Sequence, residues 1–214
     1  MKKQLIYLFA AFLAAAGLSA QELRTIKLEA PDRSGGEPLM KAFNNRKSDR
    51  EFAPDRLKPK DLSSLLWAAN GVNRSDGKRT APTAVNAQDV DVYVILPEGA
   101  YLYNAKEHAL IPVVAGDLRA SVAGTGQDFV KTAPACLVIV SDLTRLSKNP
   151  DDNTRLMGAV DVGIVCQNIN IACAGLGLAT VPRASMDKAA LARALKLTSN
   201  HLVLMNNPVG YPKK

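Results

Sequence analysis

One long apolar segment, residues 154–179, constrains the fold more than any other feature of the sequence. Its length favours a single helix, and it is apolar on nearly every side except for Asp161, Gln167, Asn168 and Asn170. A helix without a wet face lies either at the centre of a domain or in a contact between subunits. Because one small domain rarely covers every face of so long a helix, the sequence favours a homodimer. A helix wrapped completely within one monomer is the alternative.

Around this helix the sequence predicts an α+β domain with a central, mainly antiparallel sheet flanked by helices. The predicted strands are residues 90–96, 100–104, 109–114, 134–141 and 201–207, and the shorter predicted helices lie near residues 39–43, 59–70, 116–124 and 187–195. The turn at residues 97–99 joins the first two strands as a hairpin. The continuous apolar run at 134–141 predicts a strand that is buried on both faces.

The first twenty residues have the pattern of a bacterial secretory signal peptide. Lys2 and Lys3 precede an uncharged stretch that runs to Leu18, and small residues lead to a predicted cleavage after Ala20. The stretch is shorter than the roughly 20 residues that span a bilayer, although a retained anchor is the alternative. The expected product is a periplasmic or secreted domain of residues 21–214, without a stable membrane span after cleavage.

The charge of the chain argues against a nucleic-acid-binding protein. The formal charge is +7, from 27 basic and 20 acidic residues, and it falls to +5 when Lys2 and Lys3 are removed. Basic residues are scattered apart from short clusters near residues 46–50 and 74–79, and aromatic residues are only 5% of the chain. A stacking or groove-binding surface for nucleic acid is therefore not expected.

Metal and thiol chemistry are not indicated by the sequence. His108 and His201 are solitary, so no metal site is predicted. Cys136, Cys166 and Cys173 do not form a disulfide framework, and the last two fall about 10 Å apart along one predicted helix. We expect all three to be buried free thiols.

Residues 46–50, here called the basic segment, gather groups that can bind a phosphate. Arg46, Lys47 and Arg50 surround the hydroxyl of Ser48. Two guanidiniums, an ammonium and a hydroxyl can hold a dianion through charge-assisted hydrogen bonds. The alternative is a solvated charge run that follows a helix.

A second candidate stretch, "RTAPTAVNAQ", precedes the first strong strand. Pro82, Thr83, Asn86 and Gln88 place small residues and side-chain amides where a flat polar ring could lie against the backbone. The alternative is an ordinary turn with Thr83 as a helix N-cap.

These two stretches, together with "QNINIACAGLGLATVP" and "NNPVGYP", resemble the FMN-dependent nitroreductase superfamily in order and spacing. The resemblance covers about residues 36–212. Finer features, among them "LSSLLWAANGVNR", "RTAPTA" and the pair Tyr101 and Tyr103, are most similar to the branch that contains the azoline-oxidising dehydrogenases.

The resemblance implies a single nitroreductase-like FMN-binding domain. It implies that Arg46 and Ser48 hold the phosphate and ribityl chain of FMN with Lys47 nearby, and that Arg50 supplies a cation on the N1 side of the ring. The other implied cofactor-binding residues are Pro82, Thr83 and Asn86 at the wall of the ring, Val181, Pro182, Arg183 and Ala184 near flavin N5 from the partner subunit, and Lys213 after the Gly-Tyr-Pro motif.

The function implied by the resemblance is an exported FMN-dependent oxidoreductase. It would pass hydride or electrons through flavin N5 to a nitro, quinone or unsaturated small molecule, with NAD(P)H as one candidate electron donor and without a dedicated catalytic residue. The implied assembly is a homodimer with FMN at the interface. The alternatives are an azoline dehydrogenase that acts on a peptide and a non-catalytic flavin-binding protein.

Overall fold

The structure, a computed structural model, describes residues 22–213. The predicted signal peptide, residues 1–20, lies outside the described residues. The described chain forms an α+β domain in which helices flank a seven-stranded sheet, as the sequence predicted. The strands are β1 (Ile26–Lys27), β2 (Val90–Leu96), β3 (Gly99–Asn104), β4 (Ala109–Ala115), β5 (Ala135–Asp142), β6 (Ala179–Thr180) and β7 (His201–Gly210), and the helices are α1 (Leu39–Asn45), α2 (Pro59–Asn70), α3 (Arg119–Ala123), α4 (Asp152–Leu176) and α5 (Lys188–Ala194).

Every pair of neighbouring strands in the sheet is antiparallel. The strand order is β1-β4-β3-β2-β5-β7-β6. Strands β2, β3 and β4 form an antiparallel meander that includes the predicted hairpin, with Tyr93 of β2 opposite Leu102 of β3. Strand β5 is an interior strand, between β2 and β7, and its apolar side chains are buried on both faces as expected.

The sheet separates two apolar cores. On one face Val92 and Val94 of β2 pack with α2 and α4, whereas on the other face Tyr93 and Ile95 pack with α3 and α5. This alternation follows from the period of two along a strand, which sends successive side chains to opposite faces. The fold is therefore three layers with the sheet in the middle.

The predicted bounds of α4 need a correction at its C-terminal end. The helix begins with a capping box in which Asp151 and Thr154 bond each other's backbone. It ends at Leu176, because Gly177 adopts φ +70° and terminates it, rather than at residue 179. The next residues leave the helix axis and form β6, which pairs with the end of β7.

One face of α4 is left uncovered by its own domain. Nine residues of the helix are buried, including Val162, Val165 and Ile169, yet Leu156 is 58% and Val160 50% exposed. The alternative of a helix wrapped on all sides by one monomer is therefore wrong. Among the helices of residues 22–213, α4 alone is long and apolar enough to cross a membrane by length and composition.

The cysteines and histidines have structural roles in the described chain. Cys136, Cys166 and Cys173 are buried free thiols, as predicted. His108 bonds Ser63 Oγ through Nε2 at 2.7 Å and Tyr103 OH through Nδ1 at 2.9 Å. This network links α2 to the β3–β4 hairpin.

Candidate functional site

The basic segment lies at the C-terminal end of α4, directly after α1. Its main chain is fixed to the sheet edge because Asp49 N donates to Thr180 O of β6 at 2.9 Å. The side chains of Arg46, Ser48 and Arg50 are exposed, and no ion pair to them occurs within residues 22–213. Lys47 pairs with Asp49 at 3.2 Å. Two guanidiniums and one hydroxyl therefore remain available at this end of the helix.

Residues 181–184 continue from β6 and lie beside the basic segment of the same chain. Val181 is buried, Pro182 is half-buried and Ala184 is exposed. Arg183 pairs through its main chain with Asn206 of β7, both as donor and as acceptor. The structure thus places residues 181–184 and the basic segment together within one subunit.

The side chain of Arg183 is turned into the domain and is only 5% exposed. Its guanidinium donates to Gln127 Oε1 at 2.7 Å, to Asn206 Oδ1 at 2.7 Å and to two main-chain oxygens. All of these acceptors are neutral, and burial followed by the charge of Arg50 lowers the pKa of Arg183. The Arg183 side chain therefore does not extend into the predicted cofactor site. Its positive charge lies inside the domain, close enough to the basic segment to interact with Arg50.

The C-terminal residues return to the same place. Ala53 N donates to Tyr211 O at 2.9 Å, and Phe52 forms an isolated bridge with Pro212. Lys213 is exposed beyond that bridge. The basic segment, residues 181–184 and Lys213 therefore form one half of the predicted site.

The second half is the 80–88 loop, which covers the N-terminal part of α4. The main-chain N–H of Ala84 donates to Asp161 Oδ2 of α4 at 2.9 Å, and Gln88 N donates to Thr83 Oγ1 at 2.8 Å. Thr83 precedes a 3-10 turn but does not cap it. The alternative of an ordinary turn capped by Thr83 is therefore wrong.

The 80–88 loop is held in a conformation that its residues rarely adopt. Val85, Asn86 and Gln88 have φ values of 47°, 55° and 51°, in the left-handed region that disfavours a Cβ. The side chain of Val85 is also 90% exposed. Such backbone persists when surrounding contacts hold it, and it is frequent at ligand-binding sites.

Two buried carboxyl groups, Asp89 and Asp161, form a cluster that supports the 80–88 loop. Asp89 is completely buried, accepts from Ser141 Oγ at 2.6 Å and leaves its Oδ1 without a hydrogen-bond partner in the described chain. Burial, with the added charge of Asp161, raises the pKa of Asp89 to about 6 although the bond from Ser141 lowers it. The sequence identifies Asp161 only as an internal polar residue of the long helix. In the structure its carboxylate accepts the hydrogen bond from Ala84 N and anchors the 80–88 loop to α4.

A pocket of about 390 Å³ opens beside the 80–88 loop. It is lined by Arg74, Lys78, Arg79, residues 80–83 and Asn86. Sequence reasoning noticed the basic cluster at residues 74–79 but did not assign it to a site. The signal that could have done so was its position a few residues before Pro82 and Thr83.

The two halves of the predicted site do not meet within one chain. The 80–88 loop contacts α4 at Asp161, whereas the basic segment lines a pocket with Asn170 and Gly177 at the C-terminal end of the helix and bonds Thr180 beyond it. Asn170 and Gly177 lie nine and sixteen residues beyond Asp161, which is about 14 Å and about 24 Å along the axis. The two halves of one chain therefore lie at different levels along α4.

The chemistry of the two halves fits FMN. The first half offers cations and a hydroxyl, which suit a phosphate and a polyhydroxyl chain. The second half offers a proline, small side chains and the exposed amide of Asn86, which suit the face and edge of a planar heteroaromatic ring. Within residues 22–213 no group of three or more His, Cys, Asp or Glu side chains could hold a metal ion.

The tyrosine pair that resembles the azoline-dehydrogenase branch is structural in this fold. Tyr101 and Tyr103 are both buried, and burial raises the pKa of each hydroxyl. Neither side chain faces the pocket beside the 80–88 loop. These residues give no indication of a peptide substrate.

Comparisons with known proteins agree on one family. The sequence profile of the Nitroreductase family matches residues 44–211. A nitroreductase-like protein of Methanocaldococcus jannaschii is 28% identical over 194 residues, covering 87% of this chain and 96% of that protein. The crystal structure of a nitroreductase-like protein from Ralstonia eutropha JMP134 is 38% identical, covers 92% of both chains and superposes with a TM-score of 0.83. The NADPH:FMN oxidoreductase of Vibrio harveyi, solved with NAD+, shares the fold at 22% identity, with a TM-score of 0.62 over 82% of this chain and 69% of that one.

Proposed function

Because the chain belongs to the nitroreductase family of oxidoreductases, we propose that it binds FMN between the two subunits of a homodimer. It then transfers hydride or electrons to a small acceptor, such as a nitro, quinone or unsaturated compound. One observation carries the proposal: the two halves of the predicted flavin site lie at different levels of α4, about 14–24 Å apart along its axis, with an uncovered apolar face on the same helix.

A twofold axis across α4 would complete the site. When two copies of a helix pack antiparallel about such an axis, the C-terminal half of one lies against the N-terminal half of the other. The basic segment of one subunit then approaches the 80–88 loop of its partner. Two equivalent sites result, and each contains both halves.

The surface available for this contact is apolar. Leu156 and Val160 are exposed on α4, and Leu39, Met40 and Phe43 are exposed on the neighbouring α1. Burial of such surface contributes about 25 cal/mol per Å². An apolar area of this kind on a small domain marks an interaction site.

This assembly changes which segment comes from the partner. Residues 181–184 lie in the same chain as the basic segment, because Asp49 N bonds Thr180 O. In the proposed dimer, a flavin whose phosphate is held by Arg46 and Ser48 meets residues 181–184 of that subunit. The residues contributed by the partner are then Pro82, Thr83 and Asn86.

Each residue has a defined role in the proposed site. Bound FMN supplies the acceptance and return of hydride at N5. Arg46 and Ser48 bind the phosphate end, while Arg50, with Arg183 behind it, places positive charge near the ring. The 80–88 loop forms the wall beside the flavin ring and excludes water from the ring. NAD(P)H is our candidate for the electron donor.

The purified protein tests this function directly. It should show flavin absorbance, or gain it when FMN is added, and turn over a nitroaromatic or quinone acceptor. Replacing Arg46 and Arg50 by Ala should weaken FMN binding at least about 100-fold, since each removes a charge-assisted bond. The double variant Lys106→Ala/Lys188→Ala is matched in charge and exposed elsewhere, so it should bind FMN normally.

Three outcomes separate the alternatives. FMN bound at unchanged affinity by the Arg46→Ala/Arg50→Ala variant would refute the phosphate assignment. FMN binding without turnover of any acceptor would identify a non-catalytic flavin carrier. Oxidation of an azoline-containing peptide in preference to free small molecules would favour the azoline dehydrogenase.

We further propose that the protein is exported to the periplasm or secreted. The proposal is supported by the basic and apolar pattern of residues 1–20. The mature protein, isolated from its native cells, should begin at Gln21 by N-terminal sequencing. A protein that keeps its first twenty residues in the cytoplasm would contradict export without affecting the flavin proposal.

A further inference from the structure

The pocket beside the 80–88 loop has an unusual balance of charge. Of the described residues that line it, Arg74, Lys78 and Arg79 are cations and none is an acid. Its volume of about 390 Å³ falls in the range of small-ligand sites. Pro82, Thr83 and Asn86 line the same pocket. The cations are therefore adjacent to the predicted wall of the flavin ring.

Arg79 is the informative member of this cluster. Its side chain is half-buried and donates to Gln88 Oε1 at 3.1 Å and to Val90 O at 3.4 Å, which are both neutral. Asp91 and Asp89 act on its charge from a distance, but within residues 22–213 neither forms an ion pair with it; Asp91 pairs with Arg145 instead. Arg145, a comparable surface arginine, pairs with Asp91 at 2.7 Å and with Asp142 at 3.2 Å. Removing a cation from water without a paired anion is unfavourable. An anionic ligand would compensate the charge of Arg79.

The other two cations are placed to assist. Arg74 donates through Nη2 to Arg79 O at 3.2 Å and through Nε to Asn73 Oδ1 at 2.8 Å, so its Nη1 remains available. Lys78 pairs with Asp76 at 2.9 Å, in an exposed contact that solvent screens. Three cations within six residues repel one another, and an anion between them would relieve that repulsion.

We propose that this pocket binds the anionic group, a carboxylate or a phosphate, of the small molecule that exchanges electrons at the site. The anion of that molecule lies between Arg74, Lys78 and Arg79, next to the wall that Pro82 and Thr83 form for the proposed flavin ring. This inference rests on the proposed function, because it assigns the substrate class of the same site. The FMN phosphate is a second source of an anion, but the basic segment already offers it Arg46, Ser48 and Arg50.

Binding of matched probes to the FMN-loaded protein tests the inference. Benzoate and benzamide share a ring and differ in charge, and pyrophosphate represents a donor that carries phosphate. By calorimetry at low salt, benzoate or pyrophosphate should bind at least about tenfold more tightly than benzamide. The variant Arg74→Gln/Lys78→Gln should lose this preference, whereas the charge-matched control Lys106→Gln/Lys188→Gln should keep it. A preference for benzoate indicates an acceptor carboxylate, and a preference for pyrophosphate indicates a donor phosphate.

The outcomes also separate this inference from the proposed function. Equal binding of the anions and benzamide, or an unchanged preference in Arg74→Gln/Lys78→Gln, overturns the anion pocket while FMN binding stands. If that variant instead loses affinity for FMN but not for riboflavin, the pocket holds the flavin phosphate and the substrate assignment is wrong. If the protein binds no FMN, the same titration of the FMN-free protein still tests the pocket by itself.

Discussion

The basic segment and the 80–88 loop, the two halves of the proposed site, are built in opposite ways. The basic segment has ordinary backbone, the side chains of Arg46, Ser48 and Arg50 are exposed, and its main chain is joined to the sheet by Asp49 N–Thr180 O. The 80–88 loop has left-handed backbone at three residues and is anchored to α4 by the hydrogen bond from Ala84 N to Asp161. The comparison indicates that the phosphate end can adapt to its ligand, whereas the ring wall is set before the ligand arrives.

The largest expected effect comes from separating the two halves. Val160→Glu places a carboxylate in the exposed apolar face of α4 without disturbing the monomer core. The variant should sediment as a monomer and lose FMN affinity by at least about 100-fold, because desolvating an unpaired charge opposes dimer formation. Analytical ultracentrifugation with flavin absorbance measures both. The control Ile26→Glu alters an exposed apolar residue on β1 and should remain a dimer; a monomeric Val160→Glu protein that binds FMN tightly would refute the shared site.

The next effect concerns the carboxyl cluster that holds the 80–88 loop. The pKa of Asp89 is raised to about 6 in the fold, against about 3.9 when unfolded. The folded state therefore binds the extra proton between these values, and stability falls as pH rises from about 4 to 6, by roughly 3 kcal/mol. Urea denaturation at several pH values should show this slope, and Asp89→Asn should remove it.

Asp117 supplies a control of opposite sign for that measurement. Its bond to Arg119 lowers its pKa, so its contribution is present above the unfolded pKa and lost as pH falls. Asp117→Asn should therefore reduce stability at neutral pH and leave the Asp89 slope unchanged. If the unmodified protein and Asp89→Asn showed the same profile between pH 4 and 7, the assignment of a proton to the buried cluster would be contradicted.

A smaller effect is expected where α4 meets the same cluster. A Cβ at Gly158 would lie 2.5 Å from Ser141 Oγ and 3.0 Å from Leu143 Cδ2. Gly158→Ala should therefore reduce the free energy of unfolding by about 1–3 kcal/mol. Gly163 lies on the same helix with no atom within 4 Å of its ideal Cβ. Gly163→Ala should stabilise the isolated subunit by roughly 0.5–1 kcal/mol, and equal effects in the two variants would show that the contact with Ser141 is unimportant.

The smallest effect concerns the loop backbone itself. Asn tolerates the left-handed conformation better than a β-branched residue, and the side chain of Val85 contributes little burial. Val85→Asn should raise the free energy of unfolding by about 1 kcal/mol, measured by thermal denaturation of FMN-free protein. Val85→Ala should give a smaller gain because Ala keeps its Cβ at the same φ. Destabilisation by Val85→Asn would mean that the valine side chain has a packing role.

Much of the fold was predictable because its signals are local. The continuous apolar run of β5, the turn at residues 97–99 between β2 and β3, and the end signals of α2, Pro59 at its first position and Gly71 at its C-cap, predict these elements almost to the residue. The end of α4 was not predictable from its composition, since "LGLA" is as apolar as the helix before it. The left-handed Gly177 and the pairing of β6 with β7 decide that boundary.

The site was predictable as a set of motifs but not as an arrangement. Arg46, Ser48 and Thr83 were named from sequence, yet their separation along α4 depends on how the sheet and helices pack. The buried contact between Asp161 and Ala84 N joins residues 77 positions apart, so no local pattern could show it. The burial of Arg183 was not predictable either, because its guanidinium bonds residues that are distant in the sequence, such as Gln127 and Asn206.

Arg183 has a consequence for the compartment in which the protein works. A guanidinium keeps its proton at every pH that a cell or its surroundings reach, and this one is shielded from dissolved salt by burial. Its contribution to the potential behind the basic segment is therefore constant, while surface cations are weakened as ionic strength rises. If the protein is exported and binds FMN as proposed, part of its attraction for that anionic cofactor is thus independent of a medium that the cell does not buffer.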